Sequence, residues 1–189
     1  MHNIIYKICF AVLLSQLAAN VYAADINAGK SKAAICQACH GSVGISNNPL
    51  WPNLAGQSSA YLEVQLKNFK SEVRLNPIMK PIADGLNDTD IQNLAAYFSS
   101  LPGKPSTAEA VVSKQGKEKT AMCMGCHGEN LLGKALFPKL AGQQSQYLYK
   151  QLQDFKNGAR KAMHMNAIAQ SLSDEDAKII TAYIANLPN

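Results

Sequence analysis

Apolar residues recur every three to four positions over several segments of the chain, which is the spacing of one face of a helix. In the segment 88–100 this face consists of Ile91, Leu94, Ala95 and Phe98. The segments 58–69 and 145–155, and the residues before each of two cysteine pairs, show the same kind of pattern. No segment alternates apolar and polar residues as a half-buried strand does. The sequence therefore predicts an all-α fold.

Two of the predicted helices begin with a capping signal. Asn87 is followed three residues later by Asp90, and Ser173 is followed three residues later by Asp176. A cap residue with an acidic residue at the third helical position stabilises a helix start. These positions predict where the last helix of each half of the chain begins.

The chain is an internal duplication. The motif Cys36-Gln-Ala-Cys39-His40 returns 87 residues later as Cys123-Met-Gly-Cys126-His127, and Trp51-Pro-Asn-Leu-Ala-Gly-Gln57 returns 86 residues later as Phe137-Pro-Lys-Leu-Ala-Gly-Gln143. The displacement of 86 then persists to the end of the chain. Such self-similarity predicts two like domains, here 24–101 and 111–189. The linker 102–110, with its prolines and glycine, favours an extended connection.

The first 23 residues have the order of a secretory signal. Lys7 precedes the apolar run 8–17, and Val21-Tyr22-Ala23 supplies small residues before a cleavage site. We predict cleavage after Ala23, with Ala24 as the alternative. The apolar run is shorter than the roughly 20 residues of a membrane span. Cys9 lies within this segment and is assigned no function.

Composition and charge narrow the classes of function. Hydrophobic residues make up 47% and charged residues 16% of the chain, which is a globular balance. The formal net charge is +5, and the basic excess lies in the second half, where segment 111–189 has ten basic and six acidic residues. Such an excess can steer an acidic partner, although a solvated surface without a preferred partner is equally compatible with it. An exported chain without a concentrated basic run is not expected to bind nucleic acid.

The four cysteines after the signal form two Cys-x-x-Cys-His motifs. This motif is typical of covalent haem attachment. Cys36 and Cys39, and likewise Cys123 and Cys126, can each add to a vinyl group of one porphyrin. The adjacent His40 or His127 then ligates the iron. A zinc site, a thioredoxin-like redox pair and disulfides are the alternatives, and a motif repeated in register favours two haems over all three.

The second axial ligand of each iron is predicted to be a methionine. Met79 and Met165 lie at equivalent positions of the repeat, in the segment before the last helix of each half. A methionine opposite the histidine is typical of an electron-transferring haem, whereas an open site suits catalysis. Met163 and His164 are alternatives to Met165, and the register of the repeat favours Met165. Met122 and Met124, which flank the second cysteine pair, are predicted to be packing residues.

The repeated Pro-x-Leu-Ala-Gly-Gln segment supplies a candidate partner for each histidine. The carbonyl of Pro52 or Pro138 can accept the free N–H of the haem histidine, as such groups often do around a metal ligand. The alternative is that these prolines only shape a turn. Gly56 and Gly142 are expected to permit a tight turn before the next helix.

Taken together, these motifs resemble class I cytochrome c domains, and their tandem arrangement closely resembles the dihaem cytochrome c4 family. The resemblance covers the whole chain after the signal. It implies a periplasmic electron carrier that passes electrons toward a terminal oxidase, with two facing domains, and it gives Pro52 and Pro138 the histidine-orienting role. It also implies redox protein partners and allows a peripheral membrane association.

Two other functions remain open at this point. The chain also resembles the cytochrome subunit of a flavin-containing sulfide dehydrogenase or a similar periplasmic oxidoreductase. A dihaem peroxidase would need an iron with a releasable site, and the two matched methionines argue against that activity. The sequence predicts an electron-transfer protein and not an enzyme.

Overall fold

The computed structural model describes residues 23–104, here domain 1, and residues 113–188, here domain 2. Domain 1 contains five helices: α1 Ile26–Lys32, α2 Ala34–His40, α3 Ser59–Lys70, α4 Met79–Asp84 and α5 Asp88–Ser100. Domain 2 contains α6 Lys114–Thr120, α7 Met124–His127, α8 Ser145–Lys156, α9 Met163–Ser171 and α10 Asp174–Ala185, with 3₁₀ turns at Ala121–Cys123 and Glu129–Leu131. The described residues include one isolated bridge, between Lys134 and Phe137, and no strand. The all-α prediction is confirmed. Residues 1–22 of the predicted signal and most of the predicted linker lie outside the described residues.

The first and last helices of each domain cross at close range. In domain 1, α1 packs on α5, and Lys32 forms an ion pair of 3.0 Å with Asp90. In domain 2, α6 packs on α10, and Lys119 forms an ion pair of 2.5 Å with Asp176. These two pairs occupy equivalent positions of the repeat, so both domains join their first and last helices in the same way.

Each domain has its own apolar core. In domain 1 the buried side chains include Leu62 of α3, Leu86, and Ile91 and Leu94 of α5, with Cys36 packed against them. In domain 2 the buried set is Leu131, Leu148, Ile180 and Ile184, with Cys123 packed against it. The cores therefore lie directly beside the cysteine motifs and fix the helices that carry them.

The predicted helix starts are correct, but two helices were not predicted. Asn87 and Asp90 form a capping box at the start of α5, and the Ser173 hydroxyl accepts a hydrogen bond from the Asp176 amide at the start of α10. The sequence places Met79 and Met165 in segments without helical structure. In the structure, α4 begins at Met79, and Met165 lies in the first turn of α9.

The two domains contact each other through a reciprocal exchange of hydrogen bonds. The Gln57 side chain accepts from the Lys139 amide at 2.8 Å and donates to the Lys139 carbonyl at 2.9 Å. The Gln143 side chain makes the same two bonds with the backbone of Asn53, at 2.8 and 2.9 Å. Because Lys139 and Asn53 are also equivalent in the repeat, the interface has pseudo-twofold symmetry.

Candidate functional site

Both cysteine motifs lie on helical turns. Cys36 and Cys39 are on α2, whereas Cys123 ends a 3₁₀ turn and Cys126 is on α7. All four thiols are free. Burial raises the pKa of Cys36 to about 11, with a further contribution from Cys39, and burial likewise raises the pKa of Cys123. Among the described residues, no three His, Cys, Asp or Glu side chains are placed to hold a metal ion together, so the two pairs do not form one zinc centre.

Each motif histidine is buried and oriented by a proline carbonyl. The His40 Nδ1 lies 2.9 Å from the Pro52 oxygen, and the His127 Nδ1 lies 2.8 Å from the Pro138 oxygen. A carbonyl can only accept, so Nδ1–H donates and Nε2 keeps its lone pair. Burial lowers the pKa of both imidazoles, against the opposing effect of the proline hydrogen bond. A neutral imidazole with a free Nε2 is the form that ligates a metal.

The glycines of the repeated segment have the backbone geometry that the sequence predicts. Gly56 and Gly142 have φ angles of 68° and 70°. These angles lie in the left-handed region, which a residue without Cβ enters at little cost. The resulting turns lie four residues after Pro52 and Pro138 and lead into α3 and α8.

The predicted methionines differ in exposure from their alternatives. Met79 and Met165 are half-buried, whereas Met163 is 81% exposed and His164 is exposed. The exposure of Met163 and His164 agrees with the choice of Met165. Met122 and Met124 are 61% and 40% exposed, so the prediction that they are packing residues is wrong.

Each domain thus supplies the donor set that a covalently bound haem requires. Two thiols lie one helical turn apart, a neutral histidine is fixed by its second nitrogen, and a half-buried methionine begins or nearly begins a later helix. Imidazole nitrogen and thioether sulfur are the axial ligands of electron-transferring haems. The residues present therefore fit two haem groups.

An arginine anchors the segment before each methionine, and both arginines cross the domain boundary. The Arg74 side chain stacks on Phe69 at 4.6 Å and donates to the Gln65 oxygen at 2.8 Å within domain 1. It also donates to the Tyr147 hydroxyl at 3.0 Å and to the Gln151 oxygen at 2.7 Å in domain 2.

Arg160 repeats this arrangement in the opposite direction. It stacks on Phe155 at 4.6 Å and donates to Gln151 at 2.7 Å in its own domain. Across the boundary it donates to the Tyr61 hydroxyl at 2.8 Å and to Gln65 at 3.1 Å. Arg74, Gln65, Arg160 and Gln151 therefore form a closed set of hydrogen bonds, here called the arginine ring.

The arginine ring creates a positive potential at the domain interface. Burial raises the pKa of Tyr147, but the charges of Arg74 and Arg160 outweigh that effect and hold its pKa below the ordinary value. Sequence reasoning missed the ring. Its one signal is the register of the repeat, which places Arg160 86 residues after Arg74.

The architecture of the two domains is that of c-type cytochromes, and comparison with known proteins agrees. The family model for cytochrome c matches residues 26–102 and 113–188. Cytochrome c4 of Stutzerimonas stutzeri is 38% identical over 189 residues, which cover 87% of this chain and 90% of the relative. The crystal structure of reduced recombinant cytochrome c4 from Pseudomonas stutzeri matches with a TM-score of 0.80 at 38% identity, covering 87% of this chain and 100% of that chain. The chain belongs to the cytochrome c family and, within it, to the cytochrome c4 proteins.

A third relative has a different name. The thiosulfate dehydrogenase electron acceptor of Stutzerimonas stutzeri (strain A1501) is 34% identical over 169 residues, which cover 80% of this chain and 78% of the relative. All three relatives therefore cover most of the chain and include both domains.

Membership of this family establishes the general function. The protein carries two covalently bound haem c groups and is an electron carrier, not an enzyme. The sequence-based predictions of the family, of the fold and of the cofactor are confirmed.

Proposed function

We propose that the protein is a periplasmic carrier whose two haems are each held by four residues of one domain. Cys36 and Cys39 attach the first haem, and His40 and Met79 ligate its iron. The second haem is attached and ligated by the equivalent set: Cys123, Cys126, His127 and Met165. The haem iron, when bound, supplies reversible one-electron redox chemistry.

One observation carries this assignment. Both motif histidines donate Nδ1–H to an equivalent proline carbonyl, which leaves both Nε2 atoms available in the same tautomer. A hydrogen bond of this kind fixes the ring orientation and increases the basicity of the ligand. The half-buried Met79 and Met165 complete two matched sets.

The periplasmic location is supported by the predicted leader at residues 1–23. In the part of the chain that the structure describes, no helix is both long and apolar enough to cross a membrane.

We infer that an acidic partner docks on domain 2, whose sequence carries the basic excess. Two basic residues of domain 2 are unsuited to docking a partner because they take part in contacts between the domains. Arg160 lies in the arginine ring, and Lys139 is half-buried at the domain interface. Lys134 and Lys161 are exposed, and within the described ranges neither forms an ion pair. These two lysines, which lie close in sequence to His127 and Met165, are the best candidates for steering a partner.

The proposed acceptor is a terminal oxidase, and a second candidate function has a specific observation in its favour. The relative named as an electron acceptor of thiosulfate dehydrogenase spans both domains of this chain. The protein would then be the dihaem partner of a periplasmic oxidoreductase in sulfur metabolism, related to the sulfide dehydrogenase subunit that the sequence also resembles.

The two functions differ in what donates and what accepts electrons. We would reduce the purified holoprotein and follow its oxidation by membranes of its own host, with and without cyanide. In parallel, we would follow reduction of the ferric protein by the periplasmic fraction supplied with thiosulfate or sulfide. Cyanide-sensitive oxidation supports the oxidase partner. Reduction that requires the sulfur compound, together with slow oxidation by membranes, favours the second function. If neither reaction is observed, both proposed functions are contradicted.

A further inference from the structure

The segments that lead to the predicted methionine ligands have little packing of their own. In segment 71–78 every residue is exposed except Arg74 and Asn76, and in segment 157–164 every residue is exposed except Arg160. A segment with few buried contacts opens at low cost in free energy. Asn76 and Asn166 hold these segments from within their own domains, whereas Arg74 and Arg160 tie them to the other domain.

We propose that each domain positions the methionine segment of the other domain through the arginine ring. Tyr147 and Gln151 of domain 2 hold Arg74, and thereby keep Met79 in place. Tyr61 and Gln65 of domain 1 hold Arg160, and thereby keep Met165 in place. This inference rests on the proposed role of the two methionines as ligands, and it makes the tyrosines and glutamines positioning residues.

The hydrogen-bond pattern supports coupling in both directions. The Gln65 oxygen accepts from Arg74 at 2.8 Å and from Arg160 at 3.1 Å, and the Gln151 oxygen accepts from both arginines at 2.7 Å. Each glutamine oxygen therefore accepts one bond within its own domain and one across the boundary, whereas each tyrosine hydroxyl contributes its bond across the boundary. Hydrogen bonds to a charged donor are stronger than neutral ones, so these contacts hold the segments firmly.

Variants of the two tyrosine hydroxyls distinguish the effect of domain 2 on Met79 from the effect of domain 1 on Met165. Among the described residues, the Tyr147 hydroxyl is hydrogen-bonded to Arg74 of the other domain, and the Tyr61 hydroxyl to Arg160 of the other domain. Removing one hydroxyl should loosen the methionine of the opposite domain and spare the methionine of its own domain. A purely structural role for a residue of α8 would give the reverse result.

The test uses imidazole, which competes with methionine for ferric haem iron. The ferric holoprotein and its Tyr147→Phe and Tyr61→Phe variants would be titrated with imidazole. The two methionines would be followed separately by NMR, with their signals assigned from Met79→Ala and Met165→Ala. We expect Tyr147→Phe to favour displacement of Met79 about tenfold and to leave Met165 within about twofold, as the loss of one charge-assisted hydrogen bond implies. Tyr61→Phe should have the opposite preference.

Tyr149→Phe is the matched control. Tyr149 lies on the same helix α8, but its hydroxyl donates to Asp174 within domain 2. This variant should leave Met79 unchanged. As a second check, Tyr147→Phe in an Arg74→Lys background should have no further effect on Met79, because the hydroxyl acts through the guanidinium.

Equal loosening of both methionines by Tyr147→Phe, loosening of Met165 alone, or no effect on either would overturn the proposal. Failure of the underlying ligand assignment looks different. If Met79→Ala or Met165→Ala removes no methionine signal in the unmodified background, the ligand is wrong, whatever the tyrosine variants do.

Discussion

Gly29 of α1 lies directly against the backbone of Asn93 in α5. A Cβ atom at Gly29 would be 2.1 Å from the Asn93 carbonyl oxygen and 2.9 Å from the Tyr97 Cβ. The equivalent Gly116 would place its Cβ 2.5 Å from the Tyr183 Cβ. Neither backbone atoms nor a Cβ can move aside as a flexible side chain does. The crossing of the first and last helices therefore requires glycine in both domains.

We expect Gly29→Ala and Gly116→Ala each to lower the free energy of unfolding by about 1–3 kcal/mol, the usual cost of overpacking. Denaturant unfolding of the holoproteins measures this. Gly85→Ala is the control, since a Cβ there meets only the Ile82 oxygen, at 3.6 Å, and φ is −72°. An unchanged stability in the first two variants would contradict the close approach of the helices.

The two cysteine motifs predict two covalent haems on one chain. The mature protein, produced in a host that attaches haem, should show under denaturing conditions a mass with two haem additions and without residues 1–23. Replacing Cys123 and Cys126 by Ala should remove one of the two additions and leave the other. A wild-type mass with one haem would contradict the assignment.

The matched methionines predict two iron–sulfur bonds. The ferric protein should show the weak far-red absorption band of methionine-ligated haem, and Met79→Ala or Met165→Ala should each remove about half of it. Met163→Ala is the control, because that side chain is 81% exposed, and it should leave the band intact. If Met163→Ala removes half of the band and Met165→Ala does not, the ligand of the second iron is Met163.

The charge of domain 2 predicts a salt-dependent association rate. Reversing Lys134 and Lys161 to Glu should slow binding to an acidic redox partner, and the difference from wild type should shrink as salt screens charges beyond about 8 Å at physiological ionic strength. Stopped-flow measurement at several salt concentrations gives these rates, with both haem spectra expected to stay unchanged.

The matched control is a variant in which Lys30 and Lys67, which are exposed in domain 1, are both replaced by Glu. This variant should lose less rate than the domain 2 variant. Equal losses, or no loss in either at low salt, would mean that the basic excess is a solvated surface. Arg74 and Arg160 are unsuitable for this experiment because both lie in the arginine ring.

The sequence predicted the elements with strong local signals. The helix 88–100 has a periodic apolar face and a capping box. The repeated Pro-x-Leu-Ala-Gly-Gln segment likewise predicted the proline carbonyls that accept the hydrogen bonds of the motif histidines. Helix α4 escaped prediction because it has only six residues, too few for a periodic pattern, and contains Pro81. Proline is tolerated in the first turn of a helix but reads in a sequence as a helix breaker.

The contacts between the domains could not be predicted in the same way. Gln57 and Gln143 are marked by the repeat as equivalent, but a polar side chain carries no information about which backbone it will meet. The same holds for Arg160. In the sequence it counts only as one more basic residue of domain 2, whereas in the structure it donates hydrogen bonds to Tyr61 and Gln65 of domain 1. Only the folded arrangement of both domains distinguishes a steering charge from an interface charge.

The reciprocal hydrogen bonds of Gln57 with Lys139 and of Gln143 with Asn53 are the kind of contact that two identical subunits make in a homodimer, where one patch meets its own copy. The chain is in this sense a dimer fused into one polypeptide. Fusion turns association of the halves into an intramolecular event at an effective concentration in the millimolar range for a short tether. The contact can then remain polar without dissociating on dilution in the cell. The two halves are free to diverge in charge because neither must any longer recognise an identical partner.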